Sequence, residues 1–214
     1  MEYSVCLLAA GKGSRTQLDY NKVFYELSDG KTVLDHSLSL FLMDEDCVQV
    51  IIACAEYEKE KMERLYKNID KVEIVIGGHT RQESVSIALK HVFASYVFIH
   101  DAARPYLKQE YVDSLKECLK KEKACLLMVP SVDTIKIVEN GYVKETIERS
   151  RVYHAQTPQC FDTELIRKCH ACAEKENWIG TDDAQLVERF SDIPIKVVLS
   201  DCSNVKITLP TDLK

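Results

Sequence analysis

Two glycines, a guanidinium and an ammonium stand close together near the start of the chain. The stretch Leu7–Arg15 reads LLAAGKGSR, and Lys22 follows it. Gly11 and Gly13 let the backbone approach phosphate oxygens, and N–H groups exposed in such a turn attract anions. Arg15 and Lys22 add positive charge, which phosphoryl or nucleotidyl transfer needs against a triphosphate. Two related loops do not fit. A Walker loop requires glycine at the position of Cys6. A dinucleotide-binding loop requires a third glycine where Thr16 stands. It also expects an acidic residue after the second strand, where Cys54 and Ala55 precede Glu56.

Further stretches carry groups suited to the same ligand. GGHTRQESV, Gly77–Val85, offers backbone donors that could read a base edge, with Ser84 able to bond a ribose or phosphate. HDAARP, His100–Pro105, places Asp101 where a carboxylate facing a triphosphate could hold magnesium or anchor it through water. The competing role for Asp101 is to cap the segment that follows. Arg104 reads equally well as a surface ion pair, and His100 as structural rather than catalytic. Cys169-His170-Ala171-Cys172 resembles half a zinc site, but no second pair stands at a suitable spacing.

The elements that must position these groups alternate between strand and helix. Apolar, β-branched runs occupy Ser4–Leu8, Val48–Ala53, Val72–Ile76, Tyr96–Ile99, Ala124–Val129 and Ile195–Leu199. Helical patterns fill Thr32–Met43, Glu56–Asn68, Arg81–Val92 and Gln109–Lys121. Continuous apolar strands between amphipathic helices imply a parallel sheet covered on both faces. Ligands then bind beyond the carboxyl ends of the strands, where all three stretches fall. Thr134–Val138 and Val143–Ile147 flank Asn140-Gly141, the signature of a hairpin with a type I′ turn. This hairpin interrupts the α/β rhythm, so it projects, either as a local edge ribbon or as an arm reaching another subunit.

Bulk properties narrow the function classes. The 214 residues, 46% of them apolar, suffice for one domain with a small appendage. A net charge of −6 without a basic stripe disfavours nucleic acid as a partner. No apolar run has the length of a membrane span. Nine cysteines, an odd number, several within apolar strands and with no signal peptide ahead of them, suit a reducing cytoplasm.

Taken together, the motifs resemble those of the 2-C-methyl-D-erythritol 4-phosphate cytidylyltransferase family, CTP-dependent enzymes of the non-mevalonate isoprenoid pathway. The resemblance spans nearly the whole chain. It rests on AAGKGSR with Lys22, GGHTRQESV, HDAARP, VDTIK (Val132–Lys136), HAQTPQCF (His154–Phe161), TDDA (Thr181–Ala184) and NVKIT (Asn204–Thr208). It implies a single Rossmann-like α/β domain, a mostly parallel sheet flanked by helices, over residues 1–214. Residues 132–153 would form a hairpin arm clasping a homodimer. The resemblance places Ala9, Ala10, Gly11, Gly13, Arg15 and Lys22 around the CTP triphosphate. Gly78, Arg81 and Ser84 would hold cytosine and ribose, with Ala102 nearby. Asp101 would bind Mg²⁺ or another divalent cation. Thr134 and Arg149 of the arm, with Thr157, Thr181 and Lys206, would meet the acceptor polyol phosphate. Arg15, Lys22 and Lys206 would be the catalytic cations. The chain departs from the family with Asn21 where proline is usual, Thr16 for methionine, and His79 where an acid is common. Two other readings remain: a cytidylyltransferase for another polyol phosphate such as ribitol 5-phosphate, and a non-catalytic nucleotide-binding homologue.

Overall fold

The computed structural model describes residues 1–11 and 18–213. Most of its strands form on apolar-rich runs. The strands are β1 (Tyr3–Leu8), β2 (Cys47–Cys54), β3 (Val72–Ile76), β4 (Tyr96–Asp101), β5 (Ala124–Pro130), β6 (Lys136–Glu139), β7 (Tyr142–Thr146), β8 (Tyr153–Asp162) and β9 (Lys196–Leu199). Seven of them make one sheet in the order β3-β2-β1-β4-β8-β5-β9. All its neighbours are parallel except at β8, which runs antiparallel to both β4 and β5. The sheet is Rossmann-like and mostly parallel, as expected.

Burial on both faces explains why β1 is apolar apart from Ser4, whose hydroxyl donates to Gln49 Oε1. Tyr3, Val5 and Leu7 pack against Leu34, Leu38 and Phe41 of α1 (Val33–Met43) and Val112 and Leu115 of α4 (Gln109–Leu119). Cys6 faces the other layer, formed by α3 (Arg81–Leu89), α5 (Thr163–Lys175) and α6 (Asp183–Phe190) through Val85, Ile166 and Leu186. A strand buried on both faces cannot alternate with polar residues. Leu38 is 1% exposed, and truncating such a leucine to alanine typically costs about 2–5 kcal/mol.

The helices start where short polar side chains cap them. Thr32 and Asp35 form a reciprocal capping box at α1. Thr80 accepts from the Glu83 amide at α3, and Asp182 accepts from that of Gln185 at α6. The helical pattern from Glu56 divides into a 3-10 turn, Glu56–Glu58, and α2 (Lys59–Tyr66).

Strand β8 is the element the sequence pattern conceals. Gln156-Thr157-Pro158-Gln159 carries no apolar pattern, yet Gln156, Thr157 and Gln159 are each buried. Their polar groups find partners inside the fold; Gln159 donates to Asp182 and accepts from the Ala184 amide. Proline cannot donate to a ladder, and the β5–β8 register shifts at this point, between Leu126 and Met128. The hairpin forms as expected: β6 and β7 make a separate two-stranded sheet, turning through Asn140 (φ 50°) and Gly141 (φ 83°). Every residue of both strands is exposed, including Val138, Tyr142 and Val143.

Candidate active site

The parallel ladder ends one residue beyond β1. Ala9 N donates to Ala53 O, Ala102 N to Leu8 O, and Gly77 N to Cys54 O. Past these bonds the chains diverge and open a cleft of about 760 Å³ over the carboxyl ends of the strands. Ala9, Ala10 and Gly11 form one wall, Gly78, Arg81 and Ser84 another, and Lys22, Asp101 and Lys206 also line it. Gly13 and Arg15 lie outside the described residues.

The Gly77–Gly78 turn is fixed by the first turn of α3. Ser84 Oγ accepts from Gly78 N at 3.1 Å and donates to Thr80 O at 2.9 Å. A Cβ on Gly77 would stand 2.8 Å from Ser84 Oγ and 2.9 Å from Ala10 Cβ, so this wall requires glycine. His79 adds its backbone N–H, which donates to Glu83 Oε2 at 2.7 Å, while its side chain is exposed.

Charge concentrates at Asp101. Its carboxylate accepts from Lys206 Nζ at 2.7 Å and from Arg81 Nε at 3.2 Å, and Arg104 Nε lies 4.0 Å away. Burial alone would raise its pKa, but Arg81, Lys206 and Arg104 outweigh that and hold the carboxyl well below its ordinary range. Arg81 is shared: its Nη1 donates to Asp183 Oδ2 at 2.7 Å, and His170 Nε2 lies 3.2 Å from Asp183 Oδ1. Burial opposes ionisation of Asp183 as well, yet Arg81 and His170 lower its pKa overall. Lys22 Nζ donates to Ile207 O at 2.6 Å, and Ile207 N donates to Ala103 O at 2.8 Å. The NVKIT segment is thereby bound to both the Lys22 turn and the end of β4.

His100 and Thr157 form the layer beneath. Nε2 of His100 faces Arg104 O, which can only accept, so in the neutral ring Nε2 carries the proton. Nδ1 is then left to accept from the Thr157 hydroxyl, whose oxygen accepts from Asp101 N at 3.0 Å. Burial, the leading cause, pushes the His100 pKa down to about 4.

Several expected residues stand elsewhere than on the cleft wall. Ala102 is fully buried, accepting from Ser37 Oγ, and its neighbour Ala103 lines the cleft instead. Thr157 is 5% exposed and supports Asp101 from below. Thr134 and Arg149 lie exposed on the arm, where Arg149 Nη1 donates to Val132 O at 3.1 Å. Thr181 is also exposed, its N and Oγ1 donating to Gln185 Oε1. Arg104 is not the surface ion pair its sequence suggests. It is 9% exposed, with Nη1 donating to Asn204 O at 2.6 Å, because NVKIT folds over it. Asp101 ends β4 rather than capping a helix. Sequence reasoning misses Asp183, His170 and the cleft-side role of Ala103. TDDA marks the position of Asp183, but nothing local connects it to Arg81.

Among the described residues no group of three or more His, Cys, Asp or Glu is placed to hold a metal. Asp101 offers one carboxylate to the cleft. That donor set fits Mg²⁺, which is commonly bound through one or two carboxylates together with substrate phosphates.

A cleft at the carboxyl ends of a Rossmann-like sheet, bordered by Lys22, Arg81 and Lys206, suits the phosphates of a nucleotide, and the family match identifies the class as nucleotidyltransferase. The chain belongs to the 2-C-methyl-D-erythritol 4-phosphate cytidylyltransferase family (IspD), which it matches over residues 3–214. A relative of that name from Halalkalibacterium halodurans is 43% identical over 217 residues, covering 100% of this chain and 94% of the relative. The structure is similar to 4-diphosphocytidyl-2C-methyl-D-erythritol synthase from Anaerococcus prevotii, with a TM-score of 0.89 at 30% identity, covering 99% of this chain and 92% of that one. It is also similar to the Francisella tularensis 2-C-methyl-D-erythritol 4-phosphate cytidylyltransferase, with a TM-score of 0.84 at 32% identity, covering 100% and 97%.

Proposed function

We propose that this chain transfers CMP from CTP to 2-C-methyl-D-erythritol 4-phosphate, releasing pyrophosphate, in isoprenoid precursor biosynthesis. The observation that carries this reading is Asp101, a carboxylate at the cleft floor surrounded by Arg81, Lys206 and Arg104. Such a cluster supplies positive charge suited to a polyphosphate that gains negative charge during transfer.

A phosphate oxygen of the acceptor attacks the α-phosphorus of CTP in line, forming a new P–O bond. The bond from the α-phosphorus to the bridging oxygen breaks, and its electrons leave with pyrophosphate. The nucleophile is already ionised near neutral pH, since the second pKa of a phosphate monoester is about 6. No general base is needed; positioning and charge stabilisation supply the catalysis. Lys22 and Lys206, with Arg15, hold the triphosphate against the acceptor phosphate and offset their repulsion. Asp101 would hold Mg²⁺, which when bound neutralises phosphate charge.

The backbone of the Gly77–Gly78 turn, Arg81 and Ser84 form the cytosine and ribose subsite. Thr134 and Arg149 contribute to the acceptor subsite from the arm of a neighbouring subunit, in a cytoplasmic homodimer. The chain is then one nucleotidyltransferase domain with residues 132–153 as its dimerisation arm. The exposed apolar residues Val138, Tyr142 and Val143 support this use of the arm, since an isolated two-stranded ribbon is marginal in water.

Pyrophosphate release from each of the four common NTPs, with 2-C-methyl-D-erythritol 4-phosphate or ribitol 5-phosphate as acceptor, tests the reading. CTP with the methylerythritol phosphate should give the highest kcat/KM, with ATP and GTP strongly disfavoured. Comparable use of ATP would remove the cytidylyl assignment, and preference for ribitol 5-phosphate would replace the acceptor.

A further inference from the structure

Asn21 precedes Lys22 and is 4% exposed. Its side chain bonds three separate parts of the cleft rim. Nδ2 donates to Ala9 O at 2.8 Å and to Glu58 Oε2 at 3.0 Å, while Oδ1 accepts from Val23 N at 3.3 Å. Ala9 follows β1 and lines the cleft. Val23 belongs to the short 3-10 turn that carries Lys22. Glu58 ends the turn whose first two residues, Glu56 and Tyr57, line the cleft opposite. We propose that Asn21 is a positioning residue for Lys22, clamping the turn that carries it against the end of β1 and the turn after β2. This rests on the reading that the cleft transfers a nucleotidyl group from CTP.

The chemistry of the three partners selects an amide. Two of them, a carbonyl and a carboxylate, can only accept, and the third is an N–H that can only donate. Asparagine supplies two donors and an acceptor on a side chain short enough to be held rigidly. Aspartate has the same shape but, ionised, would confront the Glu58 carboxylate with a second one. Glu58 is itself 6% exposed, and burial raises its pKa while the Asn21 bond opposes the rise. Among the described residues, the other charged and titratable groups around it are Lys61 on α2, Asp19, Tyr20 and Tyr57 beside the same hollow, and Cys54 at the end of β2. Lys61 favours the ionised form of Glu58. The clamp fixes the backbone end of Lys22, a residue that lines the cleft and whose Nζ donates to Ile207 O.

The test compares Asn21→Asp, Asn21→Leu and the double variant Asn21→Asp with Glu58→Gln against the wild type. At neutral pH, Asn21→Asp should lower kcat by about 10–100-fold, the scale of a misplaced catalytic group. KM for the polyol phosphate should stay near its wild-type value. Activity of Asn21→Asp should recover as the pH falls, once the introduced carboxyl and Glu58 share a proton, because two adjacent carboxyls cannot both ionise easily. Adding Glu58→Gln gives the new carboxylate a donor and should restore part of the activity at neutral pH. Asn21→Leu should lose activity at every pH. Lys22 acetylation by acetic anhydride, followed by mass spectrometry, gives a readout independent of turnover. Its rate should rise several-fold in Asn21→Asp and Asn21→Leu, and Asn21→Ser should be intermediate if the aspartate variant does not fold. An inactive wild type removes the functional reading and leaves Lys22 reactivity to decide the clamp. Unchanged Lys22 reactivity, or an active folded Asn21→Asp with the wild-type pH profile, overturns the proposal.

Discussion

Lys206 Nζ donates to Asp101 Oδ2 at 2.7 Å across 105 residues of chain. The bond joins the NVKIT segment to the carboxyl end of β4 and sets a partly exposed ammonium beside a buried carboxylate. In the proposed reaction an entering phosphate would compete with Asp101 for that ammonium. Lys206→Ala should therefore lower kcat by about 10²–10³-fold, by analogy with loss of one charge-stabilising donor. Because the lysine is partly exposed, thermal unfolding should change little. Near-normal turnover in the variant would take Lys206 out of the mechanism.

Asp183 anchors Arg81 from behind. Its carboxylate is 1% exposed and lies between Arg81 and His170. Asp183→Asn should cost about 3 kcal/mol, the lower end for breaking a buried ion pair, because Arg81 keeps Asp101 as a partner. Denaturant unfolding measures this. KM for CTP should rise as well, since Arg81 borders the nucleotide cleft; a stability loss with unchanged KM would confine Asp183 to the fold.

His100 makes stability depend on pH. Its ordinary pKa of 6.5 is lowered to about 4 in the fold, so unfolding takes up a proton between those values. The contribution of the neutral ring is complete above pH 6.5 and is lost as the pH falls toward 4. The shift corresponds to about 3 kcal/mol. His100→Gln should flatten the dependence of unfolding free energy on pH across that window. An unchanged slope would contradict the neutral, buried imidazole.

These sites differ in how far the sequence reveals them. Gly11, Lys22, Gly78, Arg81 and Asp101 stand at or after the ends of short apolar runs that alternate with helical patterns, so their types and places are legible together. Arg104 looks superficial in sequence because HDAARP ends in a loop-like proline, and burial by Asn204 comes from the far end of the chain. The Arg81–Asp183 pair spans 102 residues, and neither local charge pattern names its partner. Strand β8 is hidden because its glutamines and Thr157 are buried through polar bonds rather than apolar side chains. Asn21 reads as a simple substitution beside Lys22; its clamp depends on Ala9 and Glu58 meeting in space.

The arm offers a test by complementation. Arg149→Ala should impair use of the polyol phosphate more than binding of CTP. Co-expressed with a Lys22→Ala chain, it should regain activity, because some heterodimers carry one intact shared site. Verified heterodimers without activity, or monomers at assay concentration, would contradict a site completed by the neighbour's arm.

The most direct measurement follows the phosphorus. With 2-C-methyl-D-erythritol 4-phosphate as acceptor, α-³²P-labelled CTP should place its label in the cytidylylated polyol product. γ-³²P-labelled CTP should place its label in pyrophosphate. Attack at the α-phosphorus predicts both results together; γ-label appearing in the polyol, or α-label remaining on free nucleotide while the acceptor is unchanged, would contradict it.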